Sequence, residues 1–262
     1  MKIDHDFHIH TNLSLCANED ATVEYYINQA EKIGLKKVGF ANHFWDEKIE
    51  GANGFYEPQN FNHLLKIKEE LKKFKNNNVK TFFGCEVEYH PELGVALTEE
   101  IAEQFDFILV PNSHTHMTMN KNLYTPYEKH AQFMIEAYLK IINSKVSKYV
   151  TAMAHPFEAV ACPYDNQILM KLITDDQYKY LFNLTAEKNI AIEVNIHAIK
   201  NTDKNEFEKN DQLRIYKIAK SCGCKFIFGS DSHDRTTHDD YIAKTELVVS
   251  ALSLDERDIL II

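Results

Sequence analysis

Short apolar runs and amphipathic stretches alternate seven times along this chain. The runs lie at about 3–10, Lys37–His43, about 80–88, Phe105–Pro111, Tyr149–His155, Ile190–Asn195 and Lys225–Gly229. Runs this short and this apolar read as strands buried on both faces, which implies parallel pairing through crossover helices. The helical stretches between them are punctuated by end signals. Thr22 can cap a helix over 22–34 that Gly34 ends. A second helix spans 60–77 and stops in the turn Asn76-Asn77-Asn78, and a short one covers about 98–104. Thr125-Pro126-Tyr127-Glu128 reads as a capping box with Pro at the first helical position, opening a helix to about 145. Helical segments follow at about 165–188, 205–221 and 238–251. Ser253-Leu254-Asp255-Glu256 reads as a second capping box before a short last helix. Seven strand–helix units predict an α/β fold closed, or nearly closed, into a barrel, whose chemistry belongs at the C-terminal ends of the strands. No repeat or linker divides residues 1–262, so one barrel domain is expected.

Composition narrows the partners. The net charge is −10, and no basic stripe marks a nucleic-acid-binding face. An anionic small substrate remains compatible, because bound divalent ions add positive charge where the carboxylates gather. The five cysteines form no Cys-x-x-Cys pair, and Cys222-Gly223-Cys224 stands alone. No leader pattern opens the chain and no stretch nears the roughly 20 apolar residues of a membrane helix. The expectation is a reduced, cytoplasmic protein that does not engage a membrane.

The chemistry gathers at the strand ends. Alternate side chains of a strand share a face, so His8 and His10 aim two imidazoles at one point, about 7 Å apart along the backbone. The second strand ends in His43. The third carries Glu86, with Glu88 two residues on. After the fourth come His114 and His116, in Asn112-Ser113-His114-Thr115-His116-Met117. The fifth ends in His155, the sixth carries Glu193, and Asp231 and His233 follow the seventh. Burying such groups is costly unless they are paired or metal-bound. Imidazole and carboxylate donors suit Zn, Fe or Mn.

In this order the motifs His8-x-His10, Asn42-His43, Gly84-x-Glu86, Ser113-His114, His155-Pro156 and Asp231-x-His233 resemble the PHP family, the polymerase and histidinol phosphatase metallohydrolases. The resemblance runs over essentially the whole chain. It implies a distorted (β/α)7 barrel holding two or three divalent metal ions. It makes His8, His10, Glu86 and Asp231 the ligands of one ion. Glu86 bridges to a second ion on His114 and His155, and His43 and His233 hold a third. Many members complete that third site with a histidine where this chain has Cys16. A thiolate also binds Zn, so Cys16 can substitute, as can Asp20 or Glu19; a small buried packing residue is the other reading of Cys16.

The implied function is hydrolysis of a small organic phosphomonoester by a metal-bound hydroxide, with Asp231 or His233 passing the proton to the leaving alkoxide. Histidinol phosphate is one candidate substrate, and with it a place in histidine biosynthesis. A phosphodiesterase or nucleotide-directed hydrolase is the second reading, and a non-catalytic, metal-stabilised binding barrel the third. Arg235, His197 and His116 lie just past strand ends, where a phosphate ester can meet them. Glu193 and Glu88 read as groups that orient a ligand. His5, His63, His90, His130 and His238 read as ordinary. The aromatics of 44–56 and the Met117–Met119 loop either close over a substrate or form a small core under long loops.

Overall fold

The computed structural model describes residues 1–74, 77–200, 202–236 and 238–262. Its centre is a set of seven parallel strands: β1 (His5–Ile9), β2 (Lys37–Phe40), β3 (Lys80–Val87), β4 (Phe107–Pro111), β5 (Ala152–Ala154), β6 (Ala191–Asn195) and β7 (Phe226–Gly229). They pair in chain order. The two edge strands then meet. Asp231 donates its N–H to the His8 carbonyl at 2.7 Å, and His10 donates to the Ser232 carbonyl at 2.9 Å. The sheet therefore curls into a nearly closed barrel, as the seven-fold alternation predicts.

Two departures in the strands matter for the site. Between Asp6 and Ile9, β1 advances three residues while β2 advances two. A bulge of this kind re-aims side chains, and it falls on the His8 segment. The second apolar run also breaks: His43–Phe44 leaves β2 and pairs with β3, setting His43 opposite Glu86. The fifth strand is shorter than expected, because Ser147–Tyr149 forms a 3-10 turn.

Two cores flank the strands. The smaller is Phe7, Ala41, Phe82, Phe107, Leu109, Ala152, Ala154, Ala191 and Ile227, drawn from around the whole barrel. Phe7 meets Phe82 and Phe107 edge-on at 5.2 and 5.4 Å. Room for these rings comes from Gly39 and Gly84, where any Cβ would collide with the Phe107 ring. Leu260 and Ile262 pack against this core, and Leu260 hydrogen-bonds to Phe226 at the start of β7. The chain's last residues thus floor the barrel at the end opposite the clustered histidines. The larger core lies between the strands and the surrounding helices.

Helix ends follow the expected chemistry in part. Helix α1 (Val23–Ile33) is capped by Thr22 and ends at Gly34 in the left-handed region, φ 86°. Helix α2 (Phe61–Leu71) runs into a 3-10 turn over Lys72–Phe74; the expected helical residues 75 and 76 lie outside the described residues. The Thr125 capping box does not form. Pro126 is the cap residue of α3 (Tyr127–Ile142) and no side chain caps it. Ser253 is likewise not an N-cap: it ends another helix, Tyr241–Leu252, in the left-handed region at φ 50°, and Asp255 caps the last short turn. A capping box does form between Thr174 and Gln177. It splits the stretch 165–188 into Asn166–Leu172 and α4 (Asp175–Glu187). Asn210 caps α5 (Asp211–Ser221) and separates it from Lys204–Phe207.

Candidate metal centre

The bulged β1 brings His8 and His10 into one point, with their Nε2 atoms 3.1 Å apart. Each Nε2 also lies near two carboxylates. His8 is 3.6 Å from Glu86 Oε2 and 3.5 Å from Asp231 Oδ1. His10 is 3.5 and 3.2 Å from the same atoms. Two ligands on one ion at metal–donor distances near 2.0–2.1 Å stand about 3.4 Å apart in tetrahedral geometry, so this spacing fits a shared ion. On the other side of Glu86, Oε1 is 2.9 Å from His155 Nε2 and 3.5 Å from His114 Nε2. His43 Nδ1 is 2.9 Å from Glu86 Oε2, yet both atoms are buried and neither makes a hydrogen bond. Unpaired buried polar atoms this close are reconciled by a cation.

Among the described residues, four groups of donor atoms lie mutually within 4.8 Å: His8, His10 and Glu86; His8, His155 and Asp231; His43, Glu86 and His114; and His10, Cys16, His43 and His233. Cys16 is therefore the member of the Cys16, Glu19 and Asp20 set that the structure brings to the third cluster, together with His10. Asp231 joins His8 through His155 in this grouping, whereas Glu86 joins both β1 imidazoles.

The far side of the rings decides their tautomers. His8 Nδ1 donates to Glu193 Oε1 at 2.6 Å, and His114 Nδ1 to Glu88 Oε2 at 2.9 Å. His233 Nδ1 donates to the Asp231 carbonyl at 2.8 Å. Carboxylates and carbonyls only accept, so a proton sits on Nδ1 and Nε2 is the atom left facing the cluster; at His8 an ion would have to displace a second proton from it. His155 Nδ1 meets Ser113 Oγ at 2.6 Å. Glu193 also accepts the His155 backbone N–H at 2.7 Å, so one carboxylate on β6 fixes groups on both β1 and β5. Both His155 and Asp231 have positive φ, 26° and 53°, a backbone region that costs energy in non-glycine residues. Gly229 leaves the space that Glu193 and His8 fill; a Cβ there would overlap Glu193 Oε1 and His8 Cβ.

Burial disfavours charge on all these groups, and the neighbours decide the outcome. At His8 burial lowers the pKa, but Glu193, Asp231 and Glu86 raise it well above the usual value. At His10 burial and the adjacent His233 and His43 hold it well below. Burial raises Glu86, and His114, His43 and His8 overcome it, keeping the carboxyl ionised. Asp231 is held low against burial by His8 and His10. Cys16 is an exposed residue, which argues against the buried packing role; partial shielding of its sulfur pushes the thiol up, and His233 and His43 bring it down to about 6. The anionic donors that divalent ions need are thus available near neutral pH.

The remaining predicted residues divide. His116 is half-buried 5.7 Å from the His114 ring, with Nδ1 unpartnered. His197 is exposed at a neighbouring cavity. Arg235 turns away from the cluster: it lies over the Tyr25 ring at 4.7 Å and donates to the Asp20 carbonyl at 3.0 Å. Phe44, Trp45 and Tyr56 are buried core, with Tyr56 donating to Glu88; Phe55 is half-buried 5.3 Å from the His43 ring. His5, His130 and His238 belong to none of the donor groups, yet they are buried. His238 Nε2 meets Asp6 Oδ2 at 2.6 Å, and Asp6 accepts the Ser230 N–H. That tie between the first and last strands carries no sequence signal beyond one more Asp and His.

The PHP domain family matches residues 6–197. The chain belongs to that family. No curated protein matches it. Among solved structures, this PHP chain is similar to the histidinol phosphate phosphatase HisK of Lactococcus lactis subsp. lactis Il1403, crystallised with Zn, L-histidinol and phosphate. The TM-score is 0.72 at 17% identity, over 95% of this chain and 93% of that one. A candidate histidinol phosphatase HisK from Listeria monocytogenes gives 0.64 at 14% identity, over 87% and 95%. These likenesses establish the shared fold, and with the family they support a metal-dependent hydrolase. The family match stops short of β7, Asp231 and His233; barrel closure returns those residues to the PHP cluster. Among the described residues no helix is long and apolar enough to cross a membrane.

Proposed function

We propose that residues 1–262 work as one barrel, a cytoplasmic metal-dependent phosphomonoesterase for small organic phosphates, with histidinol phosphate as the first candidate. The observation that carries this reading is the convergence of His8, His10, Glu86 and Asp231 at 3.1–3.6 Å. His8, His10, Glu86 and Asp231 hold one ion, and Glu86, His114 and His155 a second. His43, His233 and Cys16 hold a third, with His10 in reach. Zn, Mn and Fe all suit this donor set. When bound, divalent ions supply Lewis acidity, which acidifies water near neutral pH and offsets charge on the phosphoryl oxygens. The protein's own part is orientation. Glu193, Glu88 and Ser113 lock three imidazoles, and Asn195 Nδ2 holds Asp231 Oδ2 at 3.2 Å. Asp231 or His233 passes a proton to the leaving alkoxide, and His116 and His197 border the approach. All five cysteines are free, which supports a reducing compartment.

The test is turnover of p-nitrophenyl phosphate. Activity lost to chelator, restored by Mn or Zn, and abolished in a folded His155→Ala protein is expected. Preference for bis-p-nitrophenyl phosphate would replace the reading with a phosphodiesterase. No turnover with any metal would overturn it.

A further inference from the structure

The third cluster differs in kind from the other two. Glu86 and Asp231 offer carboxylate donors to the first ion, and Glu86 offers one to the second. The third gathers His10, Cys16, His43 and His233 within 4.8 Å and, among the described residues, holds no carboxylate. Its imidazoles crowd one another, the His10 ring centroid lying 4.5 Å from that of His43 and 4.2 Å from that of His233. His10 and His43 are 0% and 7% exposed, and each keeps a buried Nδ1 with no hydrogen-bond partner. An unsatisfied buried polar atom costs about 1–3 kcal/mol, which a bound ion offsets. Cys16 completes the cluster on its solvent side.

The thiol is also held in place. Ser14 is buried, with its Oγ 3.2 Å from Cys16 Sγ. The Ser14 hydroxyl donates to Gln59 Oε1 at 3.1 Å, and the same oxygen accepts the Leu15 N–H at 3.3 Å. Gln59 is buried too, and its Nε2 donates to the Phe55 carbonyl at 2.9 Å, which keeps its oxygen turned to this loop. His63 Nε2 donates to the Leu13 carbonyl at 2.6 Å. Residues 13–16 are thus fixed from outside. Because the Leu15 N–H still satisfies Gln59, the Ser14 hydroxyl can turn to a thiolate and donate to it.

Donor type then separates the sites. Thiolate favours thiophilic ions, and carboxylate favours harder ones. We infer that the third cluster selects a thiophilic ion such as Zn while the carboxylate-bearing clusters accept Mn or Fe, giving a mixed-metal centre, with Ser14 as the residue that positions the Cys16 sulfur. This rests on the metal-dependent reading of the site. It makes the third ion the one that distinguishes itself by chemistry, and the solvent-facing thiolate the donor responsible.

The test loads the apo full chain with excess Mn and titrates in Cd, a thiophilic stand-in for Zn whose thiolate complexes absorb in the ultraviolet. Each step is brought to equilibrium by dialysis and read by absorbance and elemental analysis. The preference for Cd over Mn is expected to be roughly tenfold or more greater at the Cys16 cluster than at the other two. The first equivalent of Cd should therefore raise the thiolate band nearly to its final height. In Cys16→His the band should be lost and the first equivalent should spread over all three sites; Cys16→Ser is the second variant should that protein fail to fold. In Ser14→Ala the band should move to longer wavelength, because the sulfur loses a hydrogen bond that stabilises its electrons. A band that grows evenly through three equivalents, or one unchanged in Cys16→His and Cys16→Ser, overturns the inference. A band unmoved in Ser14→Ala removes Ser14 from it. Turnover of p-nitrophenyl phosphate by a protein that fills all three sites evenly would sink the mixed-metal centre and keep the phosphatase. Selective filling with no ester turned over by any metal form would sink the phosphatase and keep the site.

Discussion

Replacing Glu193 by Gln tests whether the cluster is held from outside as the geometry implies. Glu193 is fully buried and accepts two bonds, from His8 Nδ1 at 2.6 Å and from the His155 backbone at 2.7 Å. Glutamine preserves the shape but offers one acceptor and one donor. Whichever way its amide turns, an NH2 faces either the His8 Nδ1–H or the His155 N–H. One hydrogen bond to a charged acceptor is lost, worth about 1.5–3 kcal/mol. Turning the amide toward His8 also favours the tautomer that takes the lone pair away from the cluster. Both effects fall on metal affinity, where partners behind a ligand typically contribute about 10- to 100-fold. The assay is competition between the apo protein and a fluorescent chelator for Zn, with far-ultraviolet circular dichroism confirming a folded barrel. The expected result is a Zn affinity at least tenfold weaker in Glu193→Gln. An affinity within twofold of wild type would refute the idea that Glu193 sets the His8 tautomer.

Three further outcomes follow. Gly229→Ala places a methyl group into Glu193 and His8; overpacking of this kind costs about 1–3 kcal/mol, so a lower melting temperature and weakened metal binding should appear together, and unchanged metal binding would count against the packing argument. With Co(II) in place of the native ion, a near-ultraviolet thiolate-to-metal band should appear and vanish in Cys16→Ser, with metal content falling by one ion per chain; a band that survives would remove Cys16 from the third cluster. His130, held by Thr115 and Tyr164, has its pKa lowered by burial to about 4. Between pH 6.5 and 4 the unfolded chain therefore binds the extra proton, so stability falls as pH drops through that window. Urea midpoints of the apo protein should lose less over this range in His130→Gln than in wild type, and equal losses would refute the burial argument.

The barrel was legible because its signal is distributed. Seven apolar runs must each find partners, and an error of three residues at Tyr149 or one at Lys225 leaves the topology intact. End chemistry was less legible because capping side chains compete for neighbouring positions. Ser253 resembles an N-cap only until the preceding helix uses it as a left-handed C-terminal residue, two positions before Asp255 does the capping. Thr125 fails for a related reason, since Pro126 takes the cap position itself. Thr174 and Gln177 satisfy the same spacing rule inside the stretch 165–188, whose apolar spacing reads as continuous helix.

The site shows the same division between distributed and local information. Residues at strand ends converge because the barrel forces them to, so His8, Glu86, His114, His155 and Asp231 meet once closure is inferred. What no spacing rule supplies is direction. Arg235 follows β7 closely enough to suggest a phosphate contact, yet Tyr25 and Asp20 turn it away from the cluster. His238 faces the opposite problem: it reads as an ordinary histidine, yet like Glu193, whose orienting role the strand-end pattern suggests, it ties β1 to a distant part of the barrel. The β1 bulge makes those ties necessary. A strand distorted to converge His8 and His10 gives up regular pairing with β2, and it is anchored instead by the Ser230 N–H just past β7, which its own Asp6 accepts, and by Glu193 on β6. The groups that position the cluster are therefore the ones that compensate for the strand geometry creating it, which is why loss of either anchor should loosen metal binding before it unfolds the barrel.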